Sequence, residues 1–228
     1  MSDPVVSCLM PTANRRAWVP LSIATFLAQD FESRELIVLD DGQDSVGDIV
    51  PSDPRIHYVR APRGRSLGAK RNEACRLARG EILVNWDDDD WSASWRLTYQ
   101  VEQLKAYDAD ICGLDRVWFF DPSRELAWRY RYPPSRTPWL AGGTHCFQRR
   151  TWEQHPYPDV AIGEDNLWIA AAVGARVLPL TRDDFYVASV HRTNTSPRQT
   201  ESVRWTSVNP AHVRSMPGFD LCGFRSAG

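Results

Sequence analysis

Lysine is almost missing from this chain. Of 27 basic residues only Lys70 and Lys105 are lysines, and the rest are arginine. Arginine suits bidentate anion contacts, but genomic base composition is the simpler source of such a bias. A basic excess is missing too: the formal net charge is −2, which argues against a dedicated nucleic-acid binder with a basic face. Cysteine is sparse and scattered (Cys8, Cys75, Cys112, Cys146, Cys222), odd in number and without a CxxC pair. That excludes a disulfide framework and a zinc site of ordinary spacing. Cys8 and Cys112 sit inside apolar runs and are expected in the core. No apolar run approaches the roughly 20 residues that span a bilayer. The start, Met1-Ser2-Asp3-Pro4, has no basic n-region or signal core. A soluble, cytoplasmic protein is expected.

What is present is an ordinary globular composition, 43% hydrophobic and 25% charged, over 228 residues, enough for one large domain or two small ones. Ten tryptophans suggest aromatic-lined grooves as well as core. Val5 to Met10 reads as a short strand stopped by Pro11. Trp18 to Ala28 reads as a helix with Leu21, Ala24, Thr25 and Ala28 on its inner face. Glu35 to Leu39 is a second strand ending in Asp40-Asp41-Gly42, and Ile56 to Val59 a third. After Arg63-Gly64-Arg65-Ser66 a helix from about Leu67 to Arg79 is expected to turn Leu67, Ala74, Leu77 and Ala78 inward. Ile82-Leu83-Val84 is a fourth strand, and a helix from about Ser94 follows with Leu97, Val101 and Leu104 at helical spacing. This alternation predicts a mostly parallel α/β sheet with helices on both faces.

The second half reads differently. Asp110 to Leu114 and Val117 to Phe120 are strand-like, with Glu125 to Tyr132 as a hairpin partner. Pro133, Pro134 and Pro138 mark loop. Gly142 to Phe147 reads as a strand entry, Gly163 to about Val173 as a helix, and Val177 to Leu180 and Phe185 to Ala188 as strands. Beyond Ser196 the polar, proline-containing tail carries no firm structural expectation.

Asp87-Asp88-Asp89-Asp90 follows the fourth strand directly. Four carboxylates within about 10 Å of extended chain repel unless a cation or water neutralises them. Hard oxygen ligands at a strand end suit Mg²⁺ or Mn²⁺, which often take one or two protein carboxylates and fill the shell with water and phosphate oxygens. Alone, such a run is better explained by a solvated acidic loop, with Asp90 capping the next helix.

Six pieces together carry a resemblance: Pro11-Thr12-Ala13-Asn14-Arg15, Leu36 to Gly42, Gly64-x-x-x-Gly68-x-x-Arg71-Asn72, Asp87 to Asp90, Glu164-Asp165, and His191 with Asn194-Thr195. Each is common by itself. In this order and at these spacings they make residues 5 to 196 resemble a family 2 glycosyltransferase of the GT-A fold, a Rossmann-like mostly parallel sheet with a smaller mixed portion on the acceptor side. The resemblance implies a single GT-A domain over 1–228: a nucleotide-sugar half (5–106), an acceptor half (107–196) and a tail (197–228).

It also implies roles. Pro11, Thr12, Asn14 and Arg15 would line the nucleotide, and Asp41 would accept from an imide N–H of its base. Gly68 and Arg71 would lie at its phosphates, and Asp87 and Asp88 near its ribose or a metal-bound water. Asp89 would be the principal ligand of Mn²⁺ or Mg²⁺, with Asp87 and His191 as further ligands. The run's fourth acid leaves this assignment uncertain by one residue. Asp165 would be the base that takes the acceptor's proton in an inverting transfer, with Glu164 beside it. The implied donor is a nucleotide-diphosphate sugar, UDP-linked first. The acceptor stays open among glycan, lipid, small molecule, protein and modified nucleobase; Gly142-Gly143-Thr144 and the aromatics Trp118 to Phe120, Trp128, Tyr130, Tyr132 and Trp139 fall where it would bind. Two other readings compete: a sugar-phosphate nucleotidyltransferase, which would ordinarily carry glycine in the loop after the first strand, and a non-catalytic nucleotide- or sugar-binding module, which has no need of all the acids. A two-carboxylate hydrolase stays possible on sequence alone.

Overall fold

The computed structural model describes residues 5–132, 139–195 and 200–220. The amino-terminal Met1–Pro4, the loop prolines Pro133, Pro134 and Pro138, and Pro197 and Cys222 lie outside them. In chain order the elements are β1 (Val6–Thr12), α1 (Val19–Leu27), β2 (Arg34–Asp40), β3 (Ile56–Arg60), α2 (Leu67–Leu77), β4 (Ile82–Asn85), β5 (Trp91–Ser92), α3 (Arg96–Ala106), β6 (Ile111–Gly113), β7 (Arg116–Asp121), β8 (Leu126–Arg131), a 3-10 turn at Gly142–Thr144, β9 (Cys146–Gln148), α4 (Arg149–Gln154), α5 (Glu164–Ala171), β10 (Val177–Pro179), β11 (Tyr186–Ser189), β12 (Trp205–Val208) and α6 (Pro210–Arg214).

The first sheet has the order β10-β6-β9-β4-β1-β2-β3. β1 runs parallel to both β2 and β4, β2 to β3 and β6 to β10, while β9 is antiparallel to β4 and β6. Residues alternate across it. Cys8, Met10, Val38 and Val84 face a core shared with α1 and α3, whereas Leu9, Ile37 and Leu83 face one shared with α2, α4 and α5. Helices therefore cover both faces. From β1 the chain steps out to β2 and β3, then returns to β4 on β1's other side. That reversal opens a crevice at the carboxyl ends of β1 and β4, where open α/β sheets bind ligands. A second sheet, β12-β8-β7-β11-β5, packs Phe119, Trp128, Tyr130 and Trp205 together.

Several local expectations are corrected. β1 is not stopped by Pro11 but runs through it to Thr12, in register with Leu39. Pairing with β4 ends at Leu9, so the missing proline N–H leaves no gap there. The inner face of α1 is Val19, Ser22, Ile23 and Phe26, with Ala24 and Ala28 exposed. Ser22 explains the rotation: its hydroxyl donates to the Asp87 carbonyl and its carbonyl accepts from Trp86 Nε1. In α2, Ala74 and Ala78 are buried but Leu67 is only half-buried and Leu77 is exposed. The inward places go to Lys70, Arg71 and Asn72, polar residues that a hydrophobic-periodicity argument reads as solvent-facing. Gly142–Thr144 forms a 3-10 turn, and the strand expected to enter between Gly142 and Phe147 begins at Cys146. The tail after Ser196 contributes β12, pairing β8, and α6. Asp90 does not cap α3, whose N-cap is Trp95.

Candidate active site

The crevice is a cleft of about 310 Å³. One wall comes from the end of β1 and the loop after β4: Pro11, Thr12, Arg15 and Asp87 to Asp90. Another comes from α2 and the start of α5, with Lys70, Arg71, Glu164 and Asp165. The second sheet closes the far side with Phe119, Tyr132, Tyr186 and Ala188, joined by Trp139 and the Gly142-Gly143 turn.

The four aspartates divide their work because successive residues point in different directions. Asp87 Oδ1 accepts from Arg71 Nη2 at 3.3 Å. Asp88 is buried, and burial followed by the Asp89 charge pushes its carboxyl up to about 8, against the opposing pull of Arg15. Asp89 meets His191 Nε2 at 2.9 Å and Arg15 Nη2 at 3.8 Å. The other ring nitrogen, Nδ1, faces the Thr193 backbone N–H, and Nε2 faces both Asp89 and the Asn194 side-chain amide. The ring also stacks on Trp18. Asp90 accepts from the Tyr186 hydroxyl and from the Ser189 N–H, which ties the loop to β11.

Asp40 and Asp41 part in the same way. Asp40 is fully buried; burial pushes its carboxyl up, but the N–H groups of Val46 and Gly42 and the Tyr58 hydroxyl hold it below the usual carboxylate range. It organises the loop. Asp41 pairs with Lys70 Nζ at 2.8 Å.

Arg71 joins the two acidic groups. Its Nε donates to Glu164 Oε1 at 3.0 Å and its Nη2 reaches Asp87. Among the described residues its Nη1 is buried without a partner. Burial raises the Glu164 carboxyl above its ordinary value against the pull of Arg71. Asp165 is half-exposed in the cleft wall beside Gly142, where a Cβ would strike its carboxylate.

Four of the residues named from sequence, Asn14, Asp41, Gly68 and His191, stand away from the cleft lining. Asn14, in the left-handed region at φ 57, is exposed and accepts from the N–H groups of Gln43 and Asp44. Gly68 packs against Pro158, whose carbonyl leaves no room for a Cβ. Asp87, Asp89 and His191 do not converge as a three-ligand set: among the described residues no group of three or more His, Cys, Asp or Glu side chains is placed to hold a metal. Asp87, Asp88 and Asp89 nonetheless line the cleft together with Arg15 nearby, and carboxylate oxygens of this kind fit a hard cation completed by ligands from elsewhere.

Sequence reasoning passed over Arg96. It is buried beneath the aspartate loop, donates to the carbonyls of Asn85 and Gly143 and lies over the Trp86 and Tyr186 rings. It also passed over Lys70. The signal in each case was a cation at a helical position facing inward, visible only once the inner face is known.

The profile of glycosyl transferase family 2 matches residues 7–162, most of the chain and all of the aspartate loop. The chain belongs to glycosyl transferase family 2. Among curated members, it is 35% identical over 94 residues to the putative colanic acid biosynthesis glycosyl transferase WcaA of Escherichia coli (strain K12), covering 39% of this chain and 34% of that protein. It is 32% identical over 108 residues to the Escherichia coli UDP-Glc:alpha-D-GlcNAc-diphosphoundecaprenol beta-1,3-glucosyltransferase WfgD, covering 46% and 42%. The chain thus spans under half the length of these curated relatives. Among solved structures, S. aureus TarS 1-349 in complex with UDP-GlcNAc superposes with a TM-score of 0.67 at 18% identity, covering 83% of this chain and 60% of that one. The mannosyltransferase PcManGT from Pyrobaculum calidifontis, in complex with GDP-Man and Mn2+, gives 0.66 at 21%, covering 86% and 59%. The fold is GT-A. As for the membrane, no helix among the described residues is long and apolar enough to cross one.

Proposed function

We propose that this family 2 chain is an inverting, metal-dependent glycosyltransferase that moves a sugar from a UDP-linked donor to an acceptor hydroxyl. The observation that carries the reading is the single cleft that holds Asp87 to Asp89 on one wall and Glu164-Asp165 on another, with Arg71 bonded to both groups. The nucleotide-sugar complexes of TarS and PcManGT, and the Mn2+ in the latter, support donor and cation alike.

Each residue then has a task. Asp41 and Lys70 meet the base, and Pro11 and Thr12 flank the nucleotide. Arg71 offers its unpartnered Nη1 to the diphosphate. Asp89, oriented by His191, would hold the cation with Asp87 or Asp88 close by, its other ligands being diphosphate oxygens and water. When bound, the cation supplies positive charge for the departing diphosphate. Asp165 accepts the proton of the attacking hydroxyl, and Glu164 is committed to Arg71 and supports the wall. Phe119, Tyr132 and Trp139 offer the acceptor faces on which a sugar ring can stack.

The test is a thermal-shift screen with UDP, GDP, CDP and dTDP, with and without Mn²⁺, on the native protein and on Asp89→Asn. A ligand at 100 times its Kd stabilises by about 2.7 kcal/mol. Stabilisation that needs the metal and disappears in Asp89→Asn is the expected result. No stabilisation under any condition would overturn the donor site.

A further inference from the structure

Asn72 follows Arg71 in α2 and is 8% exposed. Its amide holds one residue by both main-chain groups. Nδ2 donates to the Tyr157 carbonyl at 2.8 Å, and Oδ1 accepts from the Tyr157 N–H at 2.9 Å. Oδ1 also accepts from Trp152 Nε1 at 2.8 Å; an indole N–H only donates, which fixes the orientation of the amide. An amide carries donor and acceptor side by side, and neither a carboxylate nor an alkyl group of the same size can make both bonds to Tyr157.

What Asn72 holds is the support of Asp165. The Tyr157 ring stacks on Trp168 with centroids 4.7 Å apart, and Trp168 lies one turn after Asp165 in α5. The Tyr157 hydroxyl lies 3.3 Å from Asn85 Nδ2, and that same Nδ2 donates to the Gly142 carbonyl at 2.8 Å. Gly142 in turn abuts the Asp165 carboxylate. Tyr157 thus braces Asp165 along two routes, through the acid's own helix and through the glycine turn. Both start from a residue that Asn72 fixes by its backbone. Asn72 itself is not part of the cleft lining. Resting on the reading of Asp165 as the base, we infer that Asn72 is a positioning residue: it sets Tyr157, and through Tyr157 the place and direction of the Asp165 carboxylate.

The experiment compares the native protein with Asn72→Ala and with Asn72→Asp, which keeps the shape and both accepted bonds but loses the donor. In Asn72→Ala, hydrogen exchange read by mass spectrometry should quicken about tenfold or more in 140–145 and 164–171, with α1 and β2 within about twofold of native. Asn72→Asp should fall between the two, and it takes the place of Asn72→Ala should that variant not fold. Quickening confined to 152–157, or spread evenly over the chain, overturns the proposal. The second measurement is release of nucleotide, with water as acceptor, from a sugar donor carrying the nucleotide that most stabilises the native protein. In Asn72→Ala kcat should fall about 10²-fold, the cost of a group misplaced by about 1 Å, with KM unchanged. Adding Asn72→Ala to Asp165→Asn should cost nothing more. A raised KM at unchanged kcat, or the same loss in the Asp165→Asn background, overturns the role. Should the native protein release no nucleotide, hydrogen exchange decides alone. Should it bind none, the donor-site reading fails, while the exchange pattern still decides whether Asn72 braces the acid.

Discussion

Arg71 Nε donates to Glu164 Oε1 at 3.0 Å, with both side chains almost wholly buried. The adjacent Asp165 instead faces the cleft half-exposed, its Oδ1 accepting from the Asn166 N–H next along the chain. Two neighbouring acids therefore have different consequences. Asp165→Asn should lower kcat by about 10²- to 10⁴-fold, the usual worth of a general base, with nucleotide affinity and stability nearly unchanged. Glu164→Ala should destabilise the fold by up to about 3–5 kcal/mol, because it removes the closer of the two carboxylates that a buried guanidinium pairs with and leaves it Asp87 at 3.3 Å. Steady-state kinetics together with urea unfolding of both variants separates the roles. Equal losses of stability in the two would be the wrong outcome.

Gly142 sets the distance between the turn and Asp165. Gly142→Ala places a methyl group against the Asp165 carboxylate, and the neighbouring Gly143 is just as tightly enclosed, by Tyr186 and Asp87. Gly142→Ala should depress kcat while leaving the nucleotide's thermal shift within error, since the donor wall is not touched. Losing the shift as well would show that the turn supports the donor side.

Arg96 should matter for stability without touching substrate. Arg96→Met keeps the length of the side chain and leaves the Asn85 and Gly143 carbonyls without their donor. At about 1–3 kcal/mol for each unsatisfied buried group, unfolding should occur at clearly lower urea concentration. A midpoint equal to the parent's would mean that water replaces the guanidinium.

His145 predicts an acid limb in stability. Burial lowers the ring to about 4 from its ordinary 6.5, against the opposing charge of Asp165, and Nε2 faces the Leu140 carbonyl. The unfolded chain binds the proton more readily than the native protein. The contribution is thus complete above pH 6.5 and is lost as pH falls towards 4, by about 3 kcal/mol in all. His145→Gln should flatten this part of the profile in urea titrations between pH 7 and pH 4.5. A slope identical to the parent's would assign the acid limb to other groups.

The motif residues were legible because they sit in the loops at strand ends, where backbone geometry restricts which side chains work. Asp87 to Asp90, Glu164 and Asp165 could be named before any coordinates. Their division of labour could not. Neither adjacency in Asp40-Asp41 nor the run of four acids says which carboxylate faces the cleft, since that depends on the twist of the chain leaving β2 and β4. The inner faces of α1 and α2 were misread for a related reason: Ser22, Arg71 and Asn72 are buried by hydrogen bonds to the site's own backbone and side chains, so polarity stopped reporting exposure.

By itself the sequence determined the alternation of strands and helices, through hydrophobic runs bounded by acid, glycine and proline, and with it the parallel sheet and the family. It also placed chemistry-bearing residues after the right strands, since an unpaired charge is costly inside a buried strand. Only the tertiary structure decided which of them meet. Arg71 is 93 residues from Glu164 and His191 is 102 from Asp89, and nothing local in the chain encodes such pairs. They form because β1 is shared between two strands that the chain reaches in opposite directions. That arrangement brings the loop after β4, the start of α2 and the mouth of α5 to one edge, where each buried charge finds the partner that makes its burial tolerable.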